Sequence, residues 1–310
     1  MPQAQGAAAV TPGPDRCDGT EGAAVVRYAA LGDSITAGLG DGVSMGARRL
    51  PASVRGFAGI LAASLGPPDR VSYVNLAETG ATAADVRLTQ LPVALAWRPT
   101  LASVVVGMND VLDLRFDADR SGAEVERCVR QLRAAGSLVL TVRFADPAPL
   151  FRMPRILRRL LSRRLELLNE RVAATAAGDA GVLVLDLANW SETYHRCCWD
   201  VDRVHPGSWG HALLARRFAE LVLAAGAEVG RGSGTAAFET HPRAGSSLGS
   251  PPISLPAVPP MTAGPGTLRH AWWLARVGLP WAAARGGAAV PAGVANMIFA
   301  RRPRPWPRGA

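Results

Sequence analysis

The sequence predicts an α/β domain in which five parallel strands form a sheet covered by helices on both faces. Between about residues 25 and 229, short apolar runs alternate with longer helical patterns, the rhythm of repeated strand–helix–strand units. Those runs are apolar nearly throughout rather than at alternate positions, as strands buried on both sides should be. Composition agrees: 310 residues that are 48% hydrophobic and 19% charged support a buried core and exclude collagen, coiled-coil and disulfide-scaffold architectures.

In chain order the expected strands are VVRYAALG (25–32), VSYVNLA (71–77), LASVVVG (101–107), SLVLTVRF (137–144) and GVLVLDLA (181–188). Helical stretches separate them. The clearest runs over 154–177, where Pro154 suits a first turn and Ile156, Leu157, Leu160, Leu161, Leu165, Leu168 and Val172 recur at spacings of three and four. Its other face carries Arg155, Arg158, Arg159, Arg163 and Arg164, read as the solvated side of a core-packed helix, with an anionic-surface binder as the rival reading.

Residues 1–24, rich in Ala, Gly and Pro, are expected to be a disordered N-terminus, 25–229 the folded domain, 230–265 a flexible linker and 266–310 a basic, Trp-rich tail. The tail holds seven Arg and no acid, so it supplies +7 of the formal net charge of +9. The domain itself then lacks the pervasive positive field of a nucleic-acid-binding protein, and no nucleic acid partner is expected. The tail docks back onto the domain, stays disordered, or makes weak contact with a membrane surface. No basic leader with an apolar stretch opens the sequence, and no uncharged apolar window is long enough to span a bilayer, so a cytoplasmic location is the expectation. Cys17, Cys128, Cys197 and Cys198 are too few for a disulfide framework.

In a doubly wound sheet, ligands bind beyond the carboxyl ends of the strands. Four polar clusters fall there: Gly32-Asp33-Ser34, Glu78-Thr79-Gly80, Gly107-Met108-Asn109-Asp110 and Asp202-Arg203-Val204-His205. Together they are the parts of acyl transfer. A serine hydroxyl needs a base to take its proton, and an imidazole oriented by a carboxylate is such a base. Ser34 and His205 fill those roles, and Asp202 lies three residues before His205, a spacing that lets a turn bring its carboxylate to Nδ1–H. The developing oxyanion needs donors already in place, for which the backbone N–H groups of Ser34 and Gly80 and the carboxamide of Asn109 are the candidates.

These blocks, GDS at 32–34, the glycine at 80, GxND at 107–110 and DxxH at 202–205, resemble in identity and order the SGNH, or GDSL-type, hydrolase family over about residues 25–225. GDSITAGLGD, the NLAETG run and the Arg/Trp-rich tail look most like its actinobacterial branch of esterases and lipases. The resemblance implies a flavodoxin-like three-layer α/β/α sandwich. It carries over Ser34 as nucleophile, His205 as general base, Asp202 as its orienting acid, and Ser34, Gly80 and Asn109 as oxyanion donors. It also implies an esterase, lipase or acylhydrolase acting on a small-molecule or lipid ester without a cofactor. An acyltransferase using the same residues, or a non-catalytic membrane-surface module using the tail, is the alternative.

Other polar residues near these clusters read as structural. Asp33 is expected to fix the turn below Ser34, and Asp110 to hydrogen-bond local backbone. His195, with Glu192 three residues before it, is a second candidate base read as a surface histidine. His195, Cys197, Cys198, His205 and His211 lie close in sequence, but adjacent cysteines do not readily chelate one tetrahedral ion, so no metal is expected. His211 is expected to hydrogen-bond at the start of the last helix of the domain. Met108 is expected to narrow the pocket, and Leu150, Phe151 and Met153 read as core packing, with a wall for an acyl chain as the rival reading.

Overall fold

A computed structural model describes residues 26–42, 55–113, 115–147, 149, 154–231, 253–261 and 264–278. At its centre are five strands, β1 (Val26–Gly32), β2 (Val71–Asn75), β3 (Leu101–Val105), β4 (Leu138–Arg143) and β5 (Val182–Asp186). All pair in parallel, in the order β2-β1-β3-β4-β5. This is the flavodoxin-like order, in which the connections from β1 and β3 leave toward opposite faces and open a crevice between their carboxyl ends.

The helices are α1 (Ser34–Ala37), α2 (Gly56–Ser64), α3 (Ala83–Asp85), α4 (Leu91–Trp97), α5 (Met108–Leu112), α6 (Ala118–Ala134), α7 (Arg155–Ala176), α8 (Ser208–Arg231) and α9 (Thr267–Trp273). A π-helical turn, Val86–Gln90, joins α3 to α4. Local chemistry sets the starts: Thr82 and Asp85 cap α3 reciprocally, and Asp117 accepts the Arg120 N–H to cap α6. Pro154 immediately precedes α7, where its missing N–H removes no helical donor.

Side chains alternate across the central strands and build two apolar layers. Tyr28 and Ala30 of β1, with Leu138, Leu140 and Val142 of β4, pack against Phe57 and Leu61 of α2 and Phe218 and Val222 of α8. Ala29 and Leu31, with Ala102 and Val104 of β3, pack against Val86, Leu91 and the α6 residues Val125, Val129 and Leu132. Both edge strands depart from the sequence expectation of burial on both sides: β5 is only half-buried at Leu183, Val184 and Asp186, and β2 departs further. Ser72, Tyr73 and Asn75 of β2 are exposed, because β2 is at the sheet edge and only β1 pairs with it.

Part of the chain beyond α8 lies against the domain. The Ser254 N–H donates to the Ser64 carbonyl at 2.9 Å, Trp209 Nε1–H donates to the Pro259 carbonyl at 2.9 Å, and Ile253 packs on the core. Further on, His270 and Trp273 of α9 are buried and their rings stack. The expected disordered N-terminus with Cys17, the greater part of the expected linker, residues 279–310 of the tail, and Leu150, Phe151 and Met153 lie outside the described residues. Among the described residues no helix is long and apolar enough to cross a membrane.

Candidate active site

β1 ends at Gly32, and Asp33 caps the helical turn that begins at Ser34, its Oδ1 accepting the Ile35 N–H at 3.0 Å. This strand-to-helix corner lifts Ser34 above the carboxyl edge of the sheet. Gln90, buried in the π-helical turn, grips the corner from below: its Oε1 accepts the Gly32 N–H at 2.8 Å and its Nε2 donates to the Gly32 carbonyl at 2.9 Å. Both backbone groups of Gly32 are thereby satisfied where the ladder stops.

His205 arrives on the loop between β5 and α8, which is tied at several points. The Asp200 N–H donates to the His205 carbonyl and the Gly207 N–H to the Cys198 carbonyl, both at 2.9 Å, and Trp199 bridges Pro206. Arg203 takes a left-handed conformation with φ 60°, which turns the chain back between Asp202 and His205. Opposite this loop, Gly40 has φ 99°, and a Cβ there would lie 2.0 Å from the Pro206 carbonyl oxygen, so a side chain would push the Ser34 and His205 segments apart.

The loop brings three predicted residues together. Asp202 Oδ1 accepts the N–H groups of Val204 at 2.8 Å and His205 at 2.9 Å, which leaves Oδ2 to meet His205 Nδ1 at 2.6 Å. An ionised carboxylate only accepts, so Nδ1 carries the proton and Nε2 keeps its lone pair. Nε2 faces Ser34 Oγ at 2.8 Å. All three residues are buried, Asp202 to 1% exposure. Burial alone would push the Asp202 carboxyl up, but the hydrogen bond and charge of His205, with the two backbone donors, outweigh it and hold the group below the ordinary carboxylate range.

The expected oxyanion donors flank this arrangement. Gly80 follows β2 with φ 87°, and among the described residues neither its N–H nor that of Ser34 has a hydrogen-bond acceptor. Asn109, at the start of α5, donates from Nδ2 to the Ala81 carbonyl at 3.0 Å and to Asp33 Oδ2 at 3.4 Å. The shorter bond fixes the amide plane; the longer one is weak, so Nδ2–H on that side remains available to a better acceptor placed in the plane.

Asp33 fixes the turn below Ser34, as expected, whereas the bonds of Asp110 are not to local backbone but to residues distant in sequence. Asp110 accepts the Ala83 N–H at 3.0 Å and the Ser121 hydroxyl at 2.9 Å, with its carboxyl pushed up by burial. Burial likewise pushes Asp33 up to about 6, against the downward pull of the Ile35 N–H and His205. His195, the second candidate base, is exposed, and His205 occupies the place beside Ser34. His211 is fully buried, accepting the Phe57 N–H at Nδ1 and donating from Nε2 to the Leu39 carbonyl, each at 3.0 Å. It therefore braces the α1–α2 connection against α8. Cys197 and Cys198 are buried free thiols, and burial pushes Cys198 up to about 12. Among the described residues, no group of three or more His, Cys, Asp or Glu is placed to hold a metal ion.

Sequence reasoning missed Gln90 and His270. Gln90 stands out only as a polar residue in an apolar helical run, and nothing local to His270 points to its partner, the carbonyl of Val201 beside Asp202.

An apolar cavity of about 270 Å³ opens below the site, lined by Ile35, Met108 and Pro206, the neighbours of Ser34, Asn109 and His205, and deeper by Phe57, Leu161 and Phe218. Met108 is one of its walls, as expected. A wider cleft of about 770 Å³ lies between the loop bearing Trp199 and Arg203 and Pro265, the last residue of the expected linker.

The chain matches the GDSL-like lipase/acylhydrolase family over residues 30–213, a span that includes Ser34, Gly80, Asn109, Asp202 and His205. No curated protein matches it. Solved structures that resemble it include LAE5, an alpha/beta hydrolase enzyme from the metagenome of Lake Arreo, with 21% identity over 66% of this chain and 96% of that one and a TM-score of 0.49. A catalytic mutant of Axe2, an acetylxylan esterase from Geobacillus stearothermophilus, is similar at 20% identity, with the same two coverages and TM-score. The psychrotrophic esterase EstA from Pseudoalteromonas sp. shares 14% identity over 64% of this chain and 97% of that one, with a TM-score of 0.47. With the family's span covering more than half its length, and the strand order and strand-end residues in place, this chain belongs to the GDSL-like lipase/acylhydrolase family, hydrolases of ester bonds.

Proposed function

We propose that the protein hydrolyses a carboxylic ester through a covalent acyl-Ser34 intermediate. The observation that carries this reading is the relay of two hydrogen bonds, 2.6 Å from Asp202 to His205 and 2.8 Å from His205 to Ser34. Ser34 Oγ attacks the ester carbonyl carbon while its proton passes to His205 Nε2, and the imidazolium is stabilised by Asp202. The carbonyl oxygen, now negative, accepts from the N–H groups of Ser34 and Gly80 and from Asn109 Nδ2, which leaves its long contact with Asp33. The tetrahedral adduct collapses, the C–O bond to the alcohol breaks, and the departing alkoxide takes the proton from His205. Water then attacks the acyl carbon and gives its proton to His205; the second adduct collapses, the bond to Ser34 Oγ breaks as Oγ takes that proton back from His205, and the acid is released.

The cavity beneath the site supports a substrate with an apolar acyl group. Its walls are almost wholly hydrocarbon, and they begin at residues next to those proposed to react. No step calls on a cofactor.

The test is covalent trapping. A fluorophosphonate, which needs an activated serine, is expected to label the protein at the peptide containing Ser34, and labelling should be lost in His205→Ala. Label on another residue, or undiminished labelling of that variant, would remove the basis of the proposal.

A further inference from the structure

α7 leaves the carboxyl edge of the sheet beside the site, and its first turns stand clear of the domain. Every residue from Arg155 to Leu160 is exposed, and burial begins only at Leu161, which lines the apolar cavity. Three of these exposed residues are large and apolar: Ile156 is 77%, Leu157 42% and Leu160 50% accessible. Leu112, at the end of α5, is 52% exposed, and α5 is tied to α7 by Arg164, which donates to the Val111 and Asp113 carbonyls. A core-packed helix with a solvated basic face does not put these side chains in water.

The charge around them is one-signed. Residues 155–164 contain five Arg and no acid. Arg163 pairs with Glu166 and Arg164 with the α5 carbonyls, but Arg155, Arg158 and Arg159 form no ion pair with any described residue. A second copy of this face would meet it with like charge. The segment 279–310, with five Arg and no acid, has charge of the same sign.

We propose that the first turns of α7, with Leu112, dock on an anionic lipid surface, with Ile156 and Leu160 entering the acyl boundary and Arg155, Arg158 and Arg159 meeting lipid phosphates. Interleaved aliphatic and cationic side chains on a projecting helix match the two layers of such a surface. Docking there turns the carboxyl edge of the sheet, and the mouth of the apolar cavity, toward the lipid. The inference concerns binding alone and stands whether or not Ser34 is the nucleophile.

The experiment is sedimentation of the full-length protein with sucrose-loaded vesicles, of phosphatidylcholine alone and of phosphatidylcholine with one-quarter phosphatidylglycerol. The expected result is preferential binding to the anionic vesicles, weakening as salt is raised. Each arginine at the surface contributes roughly a factor of five, so R155Q/R158Q/R159Q should bind on the order of a hundredfold less tightly. The aliphatic variant I156S/L160S should lose a comparable factor. The substituted positions are exposed, so thermal melting and hydrolysis of a soluble ester should match the wild type in both. The triple lysine variant should keep its binding, because a lipid surface reads charge.

Wild-type affinity in both loss variants would overturn the proposal and place any binding outside these turns, and wild-type affinity in the arginine variant alone would overturn it too. Sensitivity to the arginines but not to Ile156 and Leu160 would also overturn it, pointing to an anionic polymer that needs no aliphatic anchor. So would lost binding in the lysine variant.

Discussion

His270 donates its Nδ1–H to the carbonyl of Val201, the residue immediately before Asp202. A helix from the far end of the described chain thus holds the loop that carries the carboxylate partner of His205. Trp273 stacks on the same imidazole, and Arg196 of that loop reaches Thr267 at the start of α9.

Removing this brace should loosen Asp202 without touching Ser34. His270→Ala leaves a buried carbonyl without its donor, at a cost of about 1–3 kcal/mol. Thermal melting should register that loss, and kcat should fall several-fold while KM stays close to the wild-type value. An unchanged kcat would show that the loop keeps its geometry unaided.

Asp202 itself is more demanding. Asp202→Asn keeps an oxygen for the Val204 and His205 N–H groups but turns an NH₂ toward His205 Nδ1, which selects the tautomer with the proton on Nε2. That nitrogen then has no lone pair for the serine proton. A fall in kcat on the order of 10³- to 10⁴-fold is expected near neutral pH, read by steady-state kinetics on a soluble ester.

Asn109 should act on the transition state alone. Its amide is held by the Ala81 carbonyl and has one loosely committed hydrogen, so Asn109→Ala should cost on the order of 10²- to 10³-fold in kcat with KM little altered. A rise in KM at constant kcat would instead mark it as a ground-state binding residue.

Stability should fall as the solution is acidified from pH 8 to 6. His211 and His270 are both held below the ordinary imidazole value of 6.5, first by burial, and their carbonyl partners oppose that only in part. As pH drops, the unfolded chain takes up these protons before the folded one does. Their contribution is therefore complete above 6.5 and is lost as pH falls toward the depressed folded values. Asp33, raised from 3.8 to about 6, works in the opposite sense: the folded state binds its proton first, adding stability at low pH that disappears as pH rises through 6. Comparing the wild type with a His211 variant by denaturant unfolding between pH 8 and 6 isolates that histidine, because Asp33 contributes equally to both proteins. His211→Asn, which retains an acceptor for the Phe57 N–H, should be less stable at pH 8 and have the flatter profile.

How much of this was legible in the sequence follows from the range of the forces involved. β1, β3 and β4 announce themselves because strands covered on both faces must be apolar at nearly every position. Ser34, Asn109 and His205 were readable because strand ends in a parallel sheet share one edge, so residues far apart in sequence converge there. The exposure of β2 was not readable: its composition resembles that of its neighbours, and only the sheet order puts it at an edge. Gln90 and His270 were hidden for a related reason. Each satisfies a backbone group far away in sequence, and no local periodicity encodes such a contact.

The most direct test of the account is the initial rate of hydrolysis of a short-chain p-nitrophenyl ester by the purified wild type and by Ser34→Ala, at equal concentration and with matching melting curves. The hydrogen-bonded series from Asp202 through His205 to Ser34 predicts a rate lower by about 10³-fold or more in the variant. Equal rates for the two proteins would contradict it.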